Sequence, residues 1–103
     1  MRAANALRGE AELFVRGERL PLRPTFAALI AAEEELGPLF ALVERASAGE
    51  LRLAEMVALF WHCRRHWPEA VTREDVGEAV AAQGLAATTP VLKAILQQIL
   101  SGR

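Results

Sequence analysis

Three neighbouring side chains have the types that ligate metals or attack electrophiles: His62, Cys63 and His66. On a continuous helix His62 and His66, four residues apart, share one face with Cys63 beside them, which is the least geometry two metal ligands require. The chain has no other His or Cys, so a third or fourth protein ligand would have to be a carboxylate or come from another chain. Arg64 and Arg65 lie between the imidazoles and repel a cation, and no Glu occupies the general-base place of a zincin helix. The expectation is no metal site and no cofactor, the histidines being basic residues that suit a helix C-terminus. Cys63 as a nucleophile needs a base and an orienting acid. On an apolar helical stripe it reads as a small buried hydrophobe.

Glu33-Glu34-Glu35 could supply paired carboxylates, but three consecutive residues splay around a helix and read as a solvated face. Glu33 falls within an apolar stripe and has Arg19 and Arg23 as candidate partners. Gly37, Gly49 and Gly84 each follow a helical pattern, where a C-cap explains them and a phosphate loop does not. The segment from Trp61 to Trp67 mixes aromatics with basic residues, a pairing that can stack on nucleic-acid bases. Twelve Lys and Arg against thirteen Asp and Glu give a net charge of −1, which removes the usual electrostatic basis for nucleic-acid binding. These residues together support no enzyme and no nucleic-acid partner.

The elements that carry them are legible from periodicity. Residues 10–23 alternate with period two around Arg16-Gly17-Glu18, with Ala11, Leu13, Val15, Leu20 and Leu22 on one face. This predicts a β-hairpin that must pack on something else, since two strands alone are marginal in water. Pro21 has no N–H, so its strand is an edge or turns that position outward. Thr25 caps a first helix with Phe26, Leu29, Ile30 and Leu36 at helical spacing, stopped by Gly37. Pro38 opens a second helix, which Gly49 closes. A third runs from Leu53 to His66 with Met56, Val57, Phe60 and Cys63 as its stripe, ended by Trp67-Pro68. Thr72 and Asp75 form a capping pair for a fourth, which ends at Gly84. Thr89-Pro90 starts a fifth, reaching about Leu100. The fold class is therefore α+β, mostly α: an N-terminal β-hairpin packed on about five short helices. Residues 1–9 read as a disordered arm and 10–103 as a single domain.

At 103 residues and 52% hydrophobic content, one globular domain is expected, without a deep enclosed active site. No apolar run approaches the ~18 residues of a membrane span. Met1 to Asn5 lacks a following apolar stretch, so no signal peptide and no membrane partner are expected.

The segment from Leu22 to Gly37, with its Leu22-Arg23-Pro24-Thr25-Phe26 start and Glu35-Leu36-Gly37 end, resembles the small tail-assembly proteins of gene transfer agents and related siphophages. Leu59-Phe60-Trp61, Thr72 to Gly77 and Gly84-Leu85 continue the likeness, which covers roughly residues 9–100. That family is described both as tail assembly chaperones and as tail tube proteins. The resemblance implies a chaperone in the bacterial host cytoplasm that binds the tape-measure protein and recruits tail tube protein. The alternative is a structural tail tube component, and a third reading is a small helical interaction or regulatory module. It implies no catalytic residues. Binding would use apolar anchors at helical spacing.

Four residues are candidate contacts with such a partner or with a second copy in a homo-oligomer. Phe14 falls on the hairpin face opposite Leu13. Trp61 lies off the third helix's stripe, so that helix is either buried nearly all round or shows Trp61 to a partner. Leu96 and Leu100 edge a fifth-helix apolar arc of about 180°, wider than one core face needs.

Overall fold

The computed structural model describes residues 11–102; the arm at residues 1–9 lies outside them. Two strands, β1 (Ala11–Val15) and β2 (Glu18–Leu22), form an antiparallel hairpin. Five helices follow: α1 (Phe26–Leu36), α2 (Leu39–Ser47), α3 (Leu53–His62), α4 (Arg73–Gln83) and α5 (Leu85–Ser101). Arg16 and Gly17 form the two-residue loop, both at positive φ (53° and 80°), as a type I′ turn demands. That turn fixes the register Leu13↔Leu20 and turns Leu13, Val15, Leu20 and Leu22 inward, where all four are buried.

α3 is the central element. Met56, Val57, Ala58, Leu59 and Phe60 are buried in succession, as expected of a helix covered all round. α1 and α4 pack on it, and α4 and α5 both reach β1. Val76 and Val80 from α4 and Ile95 from α5 complete one core with the hairpin leucines.

Three expectations are corrected. First, α3 ends at His62, not His66. The chain there leaves the helix to pair with β2: Arg23 N–H donates to the Cys63 carbonyl (2.8 Å) and Arg65 N–H to the Pro21 carbonyl (3.3 Å). The Trp67 indole N–H donates to that same carbonyl at 2.6 Å. Pro21 sits where its missing N–H faces outward, so the hairpin loses no ladder bond, while its carbonyl anchors the returning chain.

Second, α5 begins at Leu85, so Pro90 lies inside the helix. Thr89 does not cap; its hydroxyl turns back to the Leu85 carbonyl at 2.6 Å. Fully buried Thr88 donates its hydroxyl toward the Gly84 and Leu85 carbonyls (3.3 Å each). Proline forfeits one bond near the helix start, at exposed Ala86 where water can serve the carbonyl, and Thr88 is the one residue of the first turn that the core takes in.

Third, of the stripe expected on α1, Leu36 packs against the core but Phe26 and Ile30 do not. Ala28 and Ala32 face inward, while Phe26 is 81% exposed and Ile30 is exposed. Alanines let α1 approach α3 closely, and that packing decides which face goes in.

Candidate protein-interaction face

The residues that could do chemistry are separated or engaged. His62 sits in the last turn of α3 with Nε2 2.7 Å from Glu35 Oε1. His66 lies beyond the helix at φ 55°, exposed. The shared-face geometry therefore does not form. Among the described residues no group of three or more His, Cys, Asp and Glu is placed to hold a metal ion. Cys63 is fully buried, and that burial pushes its thiol up to about 12, which keeps it from ionising near neutral pH.

The glutamate run also divides. Glu33 accepts from the Leu39 backbone N–H (3.2 Å) and so serves the start of α2, rather than pairing with Arg19 or Arg23. Arg19 instead stands 3.6 Å from Glu12. Glu35 receives both Arg73 guanidinium nitrogens (2.7 and 2.9 Å) together with His62, tying α1, α3 and α4. The Arg73 hydrogen bonds, then that of His62, hold its carboxyl down at about 2.

Trp61 is half-buried. The Arg64 guanidinium lies 3.7 Å above its ring and Trp67 meets it edge-on with centroids 6.3 Å apart. The middle of α3, Met56 to Phe60, is buried all round, while Trp61 at its end keeps part of its surface open on a cleft. A cleft of about 750 Å³ runs beside these rings, with Thr25, His66 and Pro68 on its walls.

The exposed apolar surface lies elsewhere. Phe40 at the start of α2 is 80% exposed, and Leu100 near the end of α5 is 56% exposed. Between them a cleft of about 340 Å³ opens, walled by Leu29 of α1, Leu39, Phe40 and Val43 of α2, and Ile99 and Leu100 of α5. Glu33 and Pro38 close its rim. Leu29 and Ile99 also line an adjoining cleft of about 540 Å³ that extends to Phe26 and Arg23. The apolar surface thus continues from α2 across α5 to the N-terminus of α1. Continuous exposed apolar surface of this kind marks contact sites in folded domains.

Of the four candidate contacts, Leu100 lies on this face. Leu96 is half-buried and packed against the core. Phe14 is 46% exposed on the hairpin, and its carbonyl accepts from the Gln83 side chain. Sequence reasoning missed Phe26 and Phe40 as surface residues. A signal for Phe26 was present: Ala28, Ala32 and Leu36 repeat every four residues and form a second apolar stripe on α1. A helix with two apolar stripes has one to spare.

The family described as "Phage tail tube protein, GTA-gp10" matches residues 8–102. The chain belongs to this family. No curated protein and no solved structure matches it. The phage and gene-transfer-agent tail affiliation implied by the resemblance is thereby established. The family's description fits the structural tube component, the second of the expected roles, better than the chaperone. Among the described residues no helix is long and apolar enough to cross a membrane.

Proposed function

We propose that the protein acts without catalysis in tail assembly, in the cytoplasm of a bacterial host, as a chaperone holding an apolar helical segment of the tape-measure protein. The observation that carries this reading is the apolar cleft between α2 and the end of α5, flanked by Phe40 and Leu100. Its shape suits a helix laid in a groove and anchored by residues at i, i+3 or i+4 and i+7. Such an occupant would cover the aromatic side chain that now faces water. Recruitment of tail tube protein would follow from the same bound state.

A second reading is a subunit of the tail tube itself. It is favoured by the family's description. It also has support in further exposed apolar side chains away from the groove: Leu85 at the opposite end of α5 from Leu100, and Phe14 on β1. A ring of identical subunits needs two different complementary patches, and Leu85 and Leu100 are separated along the helix.

Co-expression with the tape-measure protein of the same particle tests the first reading. Phe40→Glu and Leu100→Glu, both at exposed positions, should leave the circular dichroism unchanged and abolish co-purification. Retained co-purification in both variants would rule the groove out. Quantitative mass spectrometry of finished particles separates the two readings: a tube subunit is present in many copies, a chaperone is absent.

A further inference from the structure

α3 and α4 pack on each other, and a groove of about 540 Å³ opens between them. Leu53, Ala54 and Val57 of α3 and Gly77 of α4 give it an apolar lining. Leu53 is 49% exposed there. Four charged residues complete the lining: Glu35, Arg73, Glu74 and Glu78. Glu35 and Arg73 are spent on each other through two hydrogen bonds. Glu74 and Glu78 are exposed, and among the described residues their carboxylates have no ion-pair or hydrogen-bond partner.

Two features of α4 at this groove work against the helix itself. Gly77 lies mid-helix, where glycine is the least favourable residue short of proline. Its φ is not positive, and a Cβ placed there would meet nothing within 4 Å, so neither backbone geometry nor internal packing calls for glycine. Glu74 and Glu78, one turn apart, repel each other, because Arg73 is turned to Glu35. Glu74 in the first turn suits the helix dipole, but Glu78 lies beyond that turn. Both features open on the same groove. A missing Cβ admits another backbone at close range, and carboxylates beside an apolar lining select positive charge.

We propose that the groove between α3 and α4 docks a helix of another protein, one whose apolar stripe is bordered by Lys or Arg. The stripe crosses α4 at Gly77 and covers Leu53 and Val57, while its basic borders meet Glu74 and Glu78. A second copy of this chain does not have that chemistry. No described helix carries more than one Lys or Arg, and Arg45 and Arg73 are already paired with Glu55 and Glu35. Exposed ion pairs add little affinity, so apolar contact holds the helix and the glutamates choose it. The groove is distinct from that between α2 and α5, and the contact depends on neither reading of the tail role.

Two synthetic helical peptides of about 14 residues, spanning about 21 Å, test it against the purified full chain. Both carry a leucine and alanine stripe; one borders it with lysine, the other with glutamate. Titration followed by amide NMR should show the lysine peptide shifting Leu53, Ala54, Val57 and Gly77, with the glutamate peptide inert. Raising salt from about 50 mM to about 500 mM should weaken binding. Glu74→Gln with Glu78→Gln should keep a native circular dichroism and weaken the lysine peptide by about three- to tenfold. Gly77→Ala separates recognition from folding: it should raise the urea midpoint and yet loosen the peptide, because the added Cβ fills the crossing point. Four results would each overturn the proposal: no lysine-peptide binding near millimolar concentration, equal binding of the two peptides, shifts centred on Phe40 and Leu100, or Gly77→Ala binding undiminished. Self-association of the free chain that the double glutamine variant abolishes would do so too, by making a second copy the occupant.

Discussion

Leu13 and Phe14 are adjacent in β1, yet the hairpin register sends one into the core and the other toward water. Leu13 is 1% exposed, faces Leu20 across the strands and belongs to the central cluster. Leu13→Ala removes three buried carbon groups, at about 0.8 kcal/mol each, or roughly 2.4 kcal/mol of transfer free energy. The cavity left behind adds to this according to how little the neighbours collapse, giving about 2–5 kcal/mol in total. Total stability for a domain of this size is about 5–15 kcal/mol, so the loss is a large fraction of it. Phe14→Ala, at a position 46% exposed, should cost less than about 1 kcal/mol despite the larger side chain. Urea unfolding followed by circular dichroism measures both, with an unchanged m-value showing that the transition stays two-state. A Leu13→Ala loss of only a few tenths, or equal losses at the two positions, would refute the docking of the hairpin through its Leu13 face.

Acid should weaken the cluster that joins α1, α3 and α4. Glu35 is held well below its unfolded value, so its contribution is complete above about pH 4.5 and is lost as pH falls toward about 2; Glu35→Gln should flatten that part of the stability–pH curve, and an unchanged slope would count against the network. Cys63 is buried with its thiol near 12, so a disulfide reagent at pH 8 should react only as fast as the chain opens, and labelling at the rate of a free thiol would show that the site is not closed. Gly17→Ala should cost about 1–2 kcal/mol in the same urea assay, because φ there is 80°; a neutral result would mean that the turn changes type.

How much was legible follows the range of the interactions. The hairpin, its turn and its inward face were readable because alternation with period two and the Arg16-Gly17 loop are local properties of the chain. The same holds for the Thr25 cap, the Thr72 and Asp75 capping box and the glycine stops, each settled within four residues. The end of α3 was not legible, because it depends on the Pro21 carbonyl, more than forty residues from Trp67 in sequence. Nor was the start of α5, where Thr89-Pro90 has the local form of a cap and burial of Thr88 overrides it. The candidate site divides in the same way. The sequence marked the apolar arc of α5 as wider than one core face needs, with Leu100 at its edge, but not which stripe of α1 goes inward. Only tertiary packing decided which surplus stays outside: α1 has two apolar stripes, and the alanine stripe fits against α3 at a closer distance than phenylalanine and isoleucine would allow. Phe26 and Ile30 remain on the surface for that reason, and no local rule of helix periodicity distinguishes the two faces.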